Sequence, residues 1–297
     1  MARQRSNFRN RMELAAVRLL LSVSRRGTAE RAEAVGRRLG RIYRALDRRR
    51  RDLAEENLAR AFPEKGPGEI EALSISVFEH FGGVAADLLH TFGEPQAALD
   101  ARIDVVGAER VRSALATGRG LFLLTAHFGN WEYSALATAA AGVPVAVIAR
   151  PLDNPLLEAF IRSFRERNGN TVIYKAEAAR EMLRILKYGG GVGILADQHA
   201  RTADAIVVPF FGRPASTTSI VARLADRTEA LIIPAFCLRT GPARYRMEYG
   251  TAFDVRTLSA AERQPAALTA RLNLEVERVV RRAPDQWLWL HNRWRLD

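Results

Sequence analysis

Leu121-Phe122-Leu123-Leu124-Thr125-Ala126-His127-Phe128-Gly129-Asn130-Trp131-Glu132 carries the pattern on which the fold turns. Residues 121–126 read as a short buried strand. Gly129 and Asn130 are turn and N-cap residue types, and 131–141 continues as a helix. His127 therefore leaves the end of a strand, while Glu132 sits in the first turn of the helix that follows. Placed so, with four residues between them, the carboxylate can orient the imidazole and stabilise its protonated form, as a general base requires. The open N–H groups at the start of the helix could stabilise a developing oxyanion. An isolated histidine is usually structural, and an acid in a first turn is favoured by the helix dipole alone. It is the pair in a strand–turn–helix setting that points to chemistry.

Outward from this stretch, residues 1 to about 92 read as helix, in the pieces 9–24, 28–46, 48–61 and 68–89. Phe62-Pro63-Glu64-Lys65-Gly66-Pro67-Gly68 breaks the last two. From Ala101 the pattern changes to short apolar strands alternating with amphipathic helices. Strands are expected at 121–125, 143–149, 171–174, 193–196, 206–208, 231–238 and 244–249, and helices at 109–116, 154–166, 176–188, 217–226 and 265–282. The alternation predicts an α/β fold: a mixed, largely parallel central sheet flanked by helices, with the N-terminal helical region packed on it. Residues 1–92 would form a basic, membrane-associating helical region and 93–297 the α/β domain of one integrated unit. Ligands of such sheets bind beyond the carboxyl ends of the strands, where His127 falls.

A chain of 297 residues, 48% hydrophobic and 26% charged, is that of an ordered globular protein able to bury a sizeable core. Its one cysteine, Cys237, lies in the apolar run 231–238. An intrachain disulfide is thereby excluded, a cytoplasmic setting is the default, and packing rather than catalysis is the thiol's expected role. The net charge of +12 is uneven: residues 1–60 hold seventeen arginines against seven acids, with blocks at Arg25-Arg26, Arg37-Arg38 and Arg48-Arg49-Arg50-Arg51. Nucleic acid, anionic lipid headgroups or an acidic protein would each satisfy such a surface. A solvated helical face would too, in a composition where only three of 45 basic residues are lysine. No base-reading module is present, so nucleic acid is not an expected partner.

Residues 14–23 are interrupted by Arg18, too short and too charged to span a membrane, and no small-residue cleavage site follows. Leu14, Val17, Leu20 and Leu21 recur at helical spacing, with Arg11, Arg18 and Arg25 on another face. Such a helix suits a membrane interface and equally suits packing on a core. Trp287, Trp289 and Trp294, interleaved with Arg293 and Arg295, fit an interfacial belt or, better, core packing near the C-terminus. His80, His90, His199 and His291 show no metal-ligand spacing, so no metal site is expected.

Several stretches in order resemble one family. His127-Phe128-Gly129-Asn130-Trp131-Glu132 is similar to the His-x-x-x-x-Glu motif of the late acyltransferases of lipid A biosynthesis, the lauroyl/myristoyl acyltransferases, which are related to the glycerolipid acyltransferases. Arg150-Pro151-Leu152-Asp153-Asn154-Pro155, Arg167-Asn168-Gly169, Ala196-Asp197-Gln198 and Val208-Pro209-Phe210-Phe211-Gly212 follow in the family's order. Pro284-Asp285-Gln286-Trp287-Leu288-Trp289, with His291 and Arg293-Trp294, resembles its closing segment, and Asn57-Leu58-Ala59-Arg60-Ala61-Phe62-Pro63 its N-terminal region. The chain departs from the family at His199, where an acid often follows the Asp-Gln pair, and it lacks a clear hydrophobic N-terminal anchor.

The resemblance implies acyl transfer from an acyl-carrier-protein thioester to a hydroxyl of a lipid A precursor, without metal or other cofactor. It implies an enzyme attached peripherally or monotopically to the cytoplasmic face of the inner membrane, on an anionic lipid surface. His127 and Glu132 would be the catalytic pair, and Arg150, Asp197, Arg167, Gln198 and Asn130 would bind substrate. Arg150, at a strand end beside the catalytic strand if the sheet follows chain order, could hold a phosphate or offset transition-state charge. Asp197 could fix Arg150 or the acceptor. Another glycolipid or a lysophospholipid is the alternative acceptor. A non-catalytic protein of anionic membranes or nucleic acid is the remaining alternative.

Overall fold

The computed structural model describes residues 6–92, 94–174 and 178–296. Four helices come first: α1 (Asn7–Ser24), α2 (Ala29–Leu46), α3 (Arg48–Ala61) and α4 (Pro67–Thr91). Three of them start where a short side chain can accept an open N–H. Ser6 takes that of Arg9, Thr28 that of Arg31 and Asp47 that of Arg50. Pro67, at the first position of α4, has no N–H to leave unpaired. There follow α5 (Gln96–Asp100), β1 (Ile103–Val106), α6 (Ala108–Ala116), β2 (Leu121–Thr125), α7 (Trp131–Ala140), β3 (Val145–Ala149), α8 (Pro155–Arg165) and β4 (Thr171–Tyr174). Then come α9 (Ala178–Lys187), β5 (Gly191–Leu195), β6 (Ala205–Phe210), β7 (Arg213–Thr218), α10 (Ile220–Thr228), β8 (Leu231–Gly241), β9 (Arg244–Tyr249), β10 (Phe253–Asp254) and α11 (Pro265–Arg282). Ala176, the expected start of the ninth helix, and Gly93, at the expected regional boundary, lie outside the described residues.

The main sheet runs in the order β1-β9-β8-β2-β5-β3-β4, with β10 on β8. β2 is parallel to both β5 and β8, β3 to β5 and β4, and β1 to β9. Only the β8–β9 and β8–β10 pairs are antiparallel, so the sheet is mixed and largely parallel, as the alternation predicts. All five residues of β2 are buried, which is why the strand reads as a continuous apolar run. Leu121 and Leu123 pack with Tyr133, Leu136 and Phe164 on one face; Phe122 and Leu124 pack with Met182, Val221 and Leu272 on the other.

The sequence reading and the fold differ most in three places. β1 was not expected: it is an edge strand with only Ile103 buried, so it carries no hydrophobic pattern. The helix expected at 217–226 starts later, because 213–218 forms β7. This strand turns back on β6 through Phe211-Gly212, both at positive φ, as two-residue hairpins require. β5 lies between β2 and β3, so Arg150 at the end of β3 is not on a strand adjacent to that of His127.

The N-terminal helices are tied to the sheet at close quarters. A Cβ on Gly36 or Gly40 of α2 would overlap the carbonyl oxygens of Gly82 and Phe78 on α4, so these glycines set the helix separation. Arg37 and Arg41 both engage Glu79, and buried Glu33 accepts from Arg239 Nε at 2.7 Å, so part of the arginine excess is matched inside the fold. α4 is long and apolar enough to cross a membrane by length and composition. Yet its Val77, Phe78 and the neighbouring Leu58 sit in one cluster with Trp287, Trp289 and Trp294. The tryptophan-belt reading gives way to core packing. On the same helix, fully buried Asp87 accepts from the hydroxyls of Tyr133 and Tyr245, each at 2.8 Å, and from Arg102 at 2.7 Å. α1 packs through Asn10 and Leu21 and turns Phe8, Met12, Leu19, Leu20 and Val23 outward. α2 turns Val35, Leu39, Ile42 and Leu46 outward.

His80 of α4 donates from Nε2 to the carbonyl of Gly129 at 3.2 Å, and burial pushes its imidazole down to about 3. Burial likewise lowers His291 to about 4. In the unfolded chain both take a proton near pH 6.5, whereas the fold refuses it until far lower. Stability is therefore complete above pH 6.5 and falls as pH drops toward these values, His80 contributing about 2 kcal/mol of loss between pH 6.5 and 5. Urea unfolding at both pH values should show a smaller loss in His80→Gln, which can still donate to Gly129. Equal pH dependence in the two proteins would contradict this.

Candidate active site

β2 and β5 are parallel neighbours, with Leu121 opposite Gly191 and Thr125 opposite Leu195. The same offset carries past the strand ends and sets His127 beside Asp197. His127 Nδ1–H donates to Asp197 Oδ1 at 2.9 Å. Oδ2 accepts the backbone N–H of His127 at 2.9 Å and the indole Nε1–H of Trp287 at 2.8 Å. An ionised carboxylate can only accept, so Nδ1 carries the hydrogen, and in a neutral ring that leaves the lone pair on Nε2. Burial by itself would raise the Asp197 carboxyl, but the adjacent His127 ring and the three donors bring it below its usual value. Trp131 packs against the imidazole edge to face, with ring centroids 5.2 Å apart.

The loop that carries His127 is clamped from two sides. Gly129 N–H donates to Gln286 O at 2.8 Å, Asn130 N–H to Cys237 O at 2.9 Å, and Leu288 N–H to His127 O at 3.0 Å. Gly129 has φ +57°, and a Cβ there would overlap the Cys237 carbonyl, so glycine is required on both counts. Asn130 is the buried N-cap of α7, its Oδ1 accepting the Tyr133 N–H at 3.3 Å. Cys237 is buried in the core, and burial pushes its thiol up, in keeping with a packing role.

Glu132, expected to hold the imidazole, does not. Arg165 of α8 grips it with two bonds, Nε–Oε2 at 2.9 Å and Nη2–Oε1 at 2.5 Å. The ring's carboxylate is Asp197, because the neighbouring parallel strand delivers it in register, while Glu132 lies on the helix and ties α7 to α8. Asp197 in turn is committed to His127 and Trp287 rather than to Arg150. Trp287, whose indole completes the carboxylate's partners, was read from sequence as an interfacial belt or, better, core packing, and not as a partner of Asp197. Its signal was its place in the closing segment.

His127, Arg150 and Gln198 line one cavity of about 380 Å³. Its walls include the apolar side chains of Ile148, Ala178, Met182, Ile194 and Ile220. Arg167 is committed elsewhere: it donates to the carbonyls of Phe92 at 2.9 Å and Glu94 at 3.2 Å, and its guanidinium stacks 4.8 Å from the Phe164 ring. The structure thus brings His127, Asp197, Arg150 and Gln198 to one site and gives Arg167 and Asn130 structural contacts. Among the described residues, no group of three or more His, Cys, Asp or Glu is arranged to hold a metal ion. The arrangement is a histidine whose ring is held by a buried carboxylate, lining a largely apolar cavity with an arginine at its wall.

The chain is 26% identical over 262 residues to the lipid A biosynthesis lauroyltransferase of Escherichia coli (strain K12), covering 86% of this chain and 83% of that one. It is 24% identical over 265 residues to the lipid A biosynthesis palmitoleoyltransferase of the same organism, covering 88% and 84%. Among solved structures, the 1-acyl-sn-glycerophosphate acyltransferase of Thermotoga maritima aligns with 88% of this chain and 99% of that one, at 15% identity and a TM-score of 0.41. The profile of the family described as bacterial lipid A biosynthesis acyltransferase matches residues 17–296. This chain belongs to the bacterial lipid A biosynthesis acyltransferase family.

Proposed function

We propose that this acyltransferase moves a fatty acyl chain from an acyl-carrier-protein thioester to a hydroxyl of a lipid A precursor, with His127 as general base and Asp197 as its orienter. The observation that carries the reading is the His127–Asp197 bond at 2.9 Å, with His127 lining a largely apolar cavity. His127 Nε2 takes the proton of the acceptor hydroxyl as its oxygen attacks the thioester carbonyl. The tetrahedral oxyanion then collapses, the C–S bond breaks, and the leaving thiolate recovers the proton from the imidazolium. Asp197 stabilises that imidazolium and fixes the tautomer. Arg150, on the same cavity wall, offers its guanidinium to the developing oxyanion. Glu132, gripped by Arg165, acts at one remove by holding α7 against α8. The apolar wall suits the acyl chain.

His127→Ala should abolish transfer from acyl-carrier protein to a lipid A precursor while leaving the fold intact by circular dichroism. Full activity in that variant would sink the assignment. Mass spectrometry of the product formed from a mixture of acyl-carrier-protein donors would give chain length and acylated position together. Turnover on a lysophospholipid, and none on the lipid A precursor, would move the acceptor assignment to that class.

The enzyme would work peripherally on the cytoplasmic face of the inner membrane. Exposed apolar stripes on α1 and α2, flanked by Arg11, Arg18 and Arg38, support this, since such faces settle at an anionic lipid interface. Flotation with liposomes should show binding that rises with the fraction of anionic lipid. No preference for anionic lipid would contradict the membrane role.

A further inference from the structure

A second cavity, of about 870 Å³, adjoins the first: His199 lines both. Three separate segments build it. Arg49 and Arg50 come from the start of α3, Arg201 from the loop after β5, and His291 with Arg295 from the C-terminal segment. Four arginines therefore face one concavity. Its two acids are already matched by arginines that do not line it, Asp52 by Arg51 at 2.8 Å and Glu56 by Arg60 at 2.5 Å. His199 stands between the two cavities, with His291 beside it. His291 Nε2 accepts the backbone N–H of His199 at 2.8 Å, and burial, the largest influence on each, lowers both rings.

Two features mark the arginines as more than a solvated face. Arg48 to Arg51 fill the first turn of α3, where the N-cap Asp47 supplies a single acid, and four cations there still oppose the helix dipole. An anion in the cavity would reverse that unfavourable placement. Arg50 is also built in, donating from Nη1 to the carbonyl of Leu290 at 2.6 Å. Guanidinium groups converging from several segments suit a phosphoryl group, which accepts several charge-assisted bonds at once.

We infer that this cavity is a phosphoryl subsite for the acceptor, holding a phosphate of the glycolipid headgroup while the acyl chain occupies the apolar cavity beside it. The inference rests on the acyltransferase reading above, and the same oxyanion chemistry could also come from the phosphodiester of the donor's prosthetic arm.

The test uses the double variant Arg49→Gln/Arg201→Gln, both sites being exposed, so the core is untouched. Isothermal titration of the purified protein with inorganic pyrophosphate should show saturable binding, weakened at least about tenfold in the variant. This arm is independent of the enzyme assay. No binding by the wild type, or equal binding by both proteins, overturns the subsite even if acyl transfer is confirmed. The kinetic arm separates the sources. KM for a phosphorylated acceptor should rise about tenfold with kcat little changed, KM for the acyl donor should stay constant, and a phosphatase-treated acceptor should not distinguish the two proteins. A rise in donor KM alone overturns the acceptor assignment in favour of the donor's phosphodiester.

Discussion

Asp197 sits at the end of β5 with almost no exposure and accepts from the backbone of His127, from its imidazole and from Trp287. A buried carboxylate without partners would be costly, and three donors answer that cost. Each donor comes from a part of the fold that must be in place first. The parallel register of β2 and β5 delivers His127. The C-terminal segment, paired through Phe128 and Trp287, delivers the indole. That segment is itself anchored by buried Arg293, which donates to Ser216 O and Thr217 Oγ1, each at 2.6 Å. The orientation of the imidazole thus depends on residues at both the centre and the end of the chain.

Around this point the surroundings divide by chemistry. The cavity past β2, β3 and β5 has a largely aliphatic wall, while that beside α3 and the C-terminus is polar and lined by four arginines. An amphiphile with a fatty chain and a charged headgroup is the ligand type such a division suits. The N-terminal helices serve two ends in this arrangement. α3 supplies arginines to the second cavity, and α4 brings His80 and Asp87 to the sheet beneath the His127 loop. α1 and α2 keep apolar side chains outward.

Much of the fold was legible because its signals are local. The buried run 121–125, the N-cap at Asn130, and the breaks at Pro63 and Pro67 each act over a few residues. Strand order is not local. Nothing in the sequence says that β5 slips between β2 and β3, and that insertion decides that Asp197, rather than Glu132, meets His127. Of the candidate site residues, His127, Gln198 and Arg150 do line one cavity. Arg167 and Asn130 proved to make structural bonds, because a basic residue at a helix end and an Asn before a helix look alike whether they face a ligand or the chain itself. β1 escaped notice because an edge strand with one buried residue has no apolar pattern to display.

The central claim, that Asp197 rather than Glu132 orients the catalytic imidazole, is most directly tested by comparing kcat for Asp197→Asn and Glu132→Gln, with circular dichroism as the check on folding. Loss of the carboxylate that fixes the tautomer should lower kcat on the order of 10⁴-fold, and Glu132→Gln, which weakens only the clasp with Arg165, should lower it far less. The reverse order, with Glu132→Gln the more damaging and Asp197→Asn nearly as active as wild type, would contradict the account.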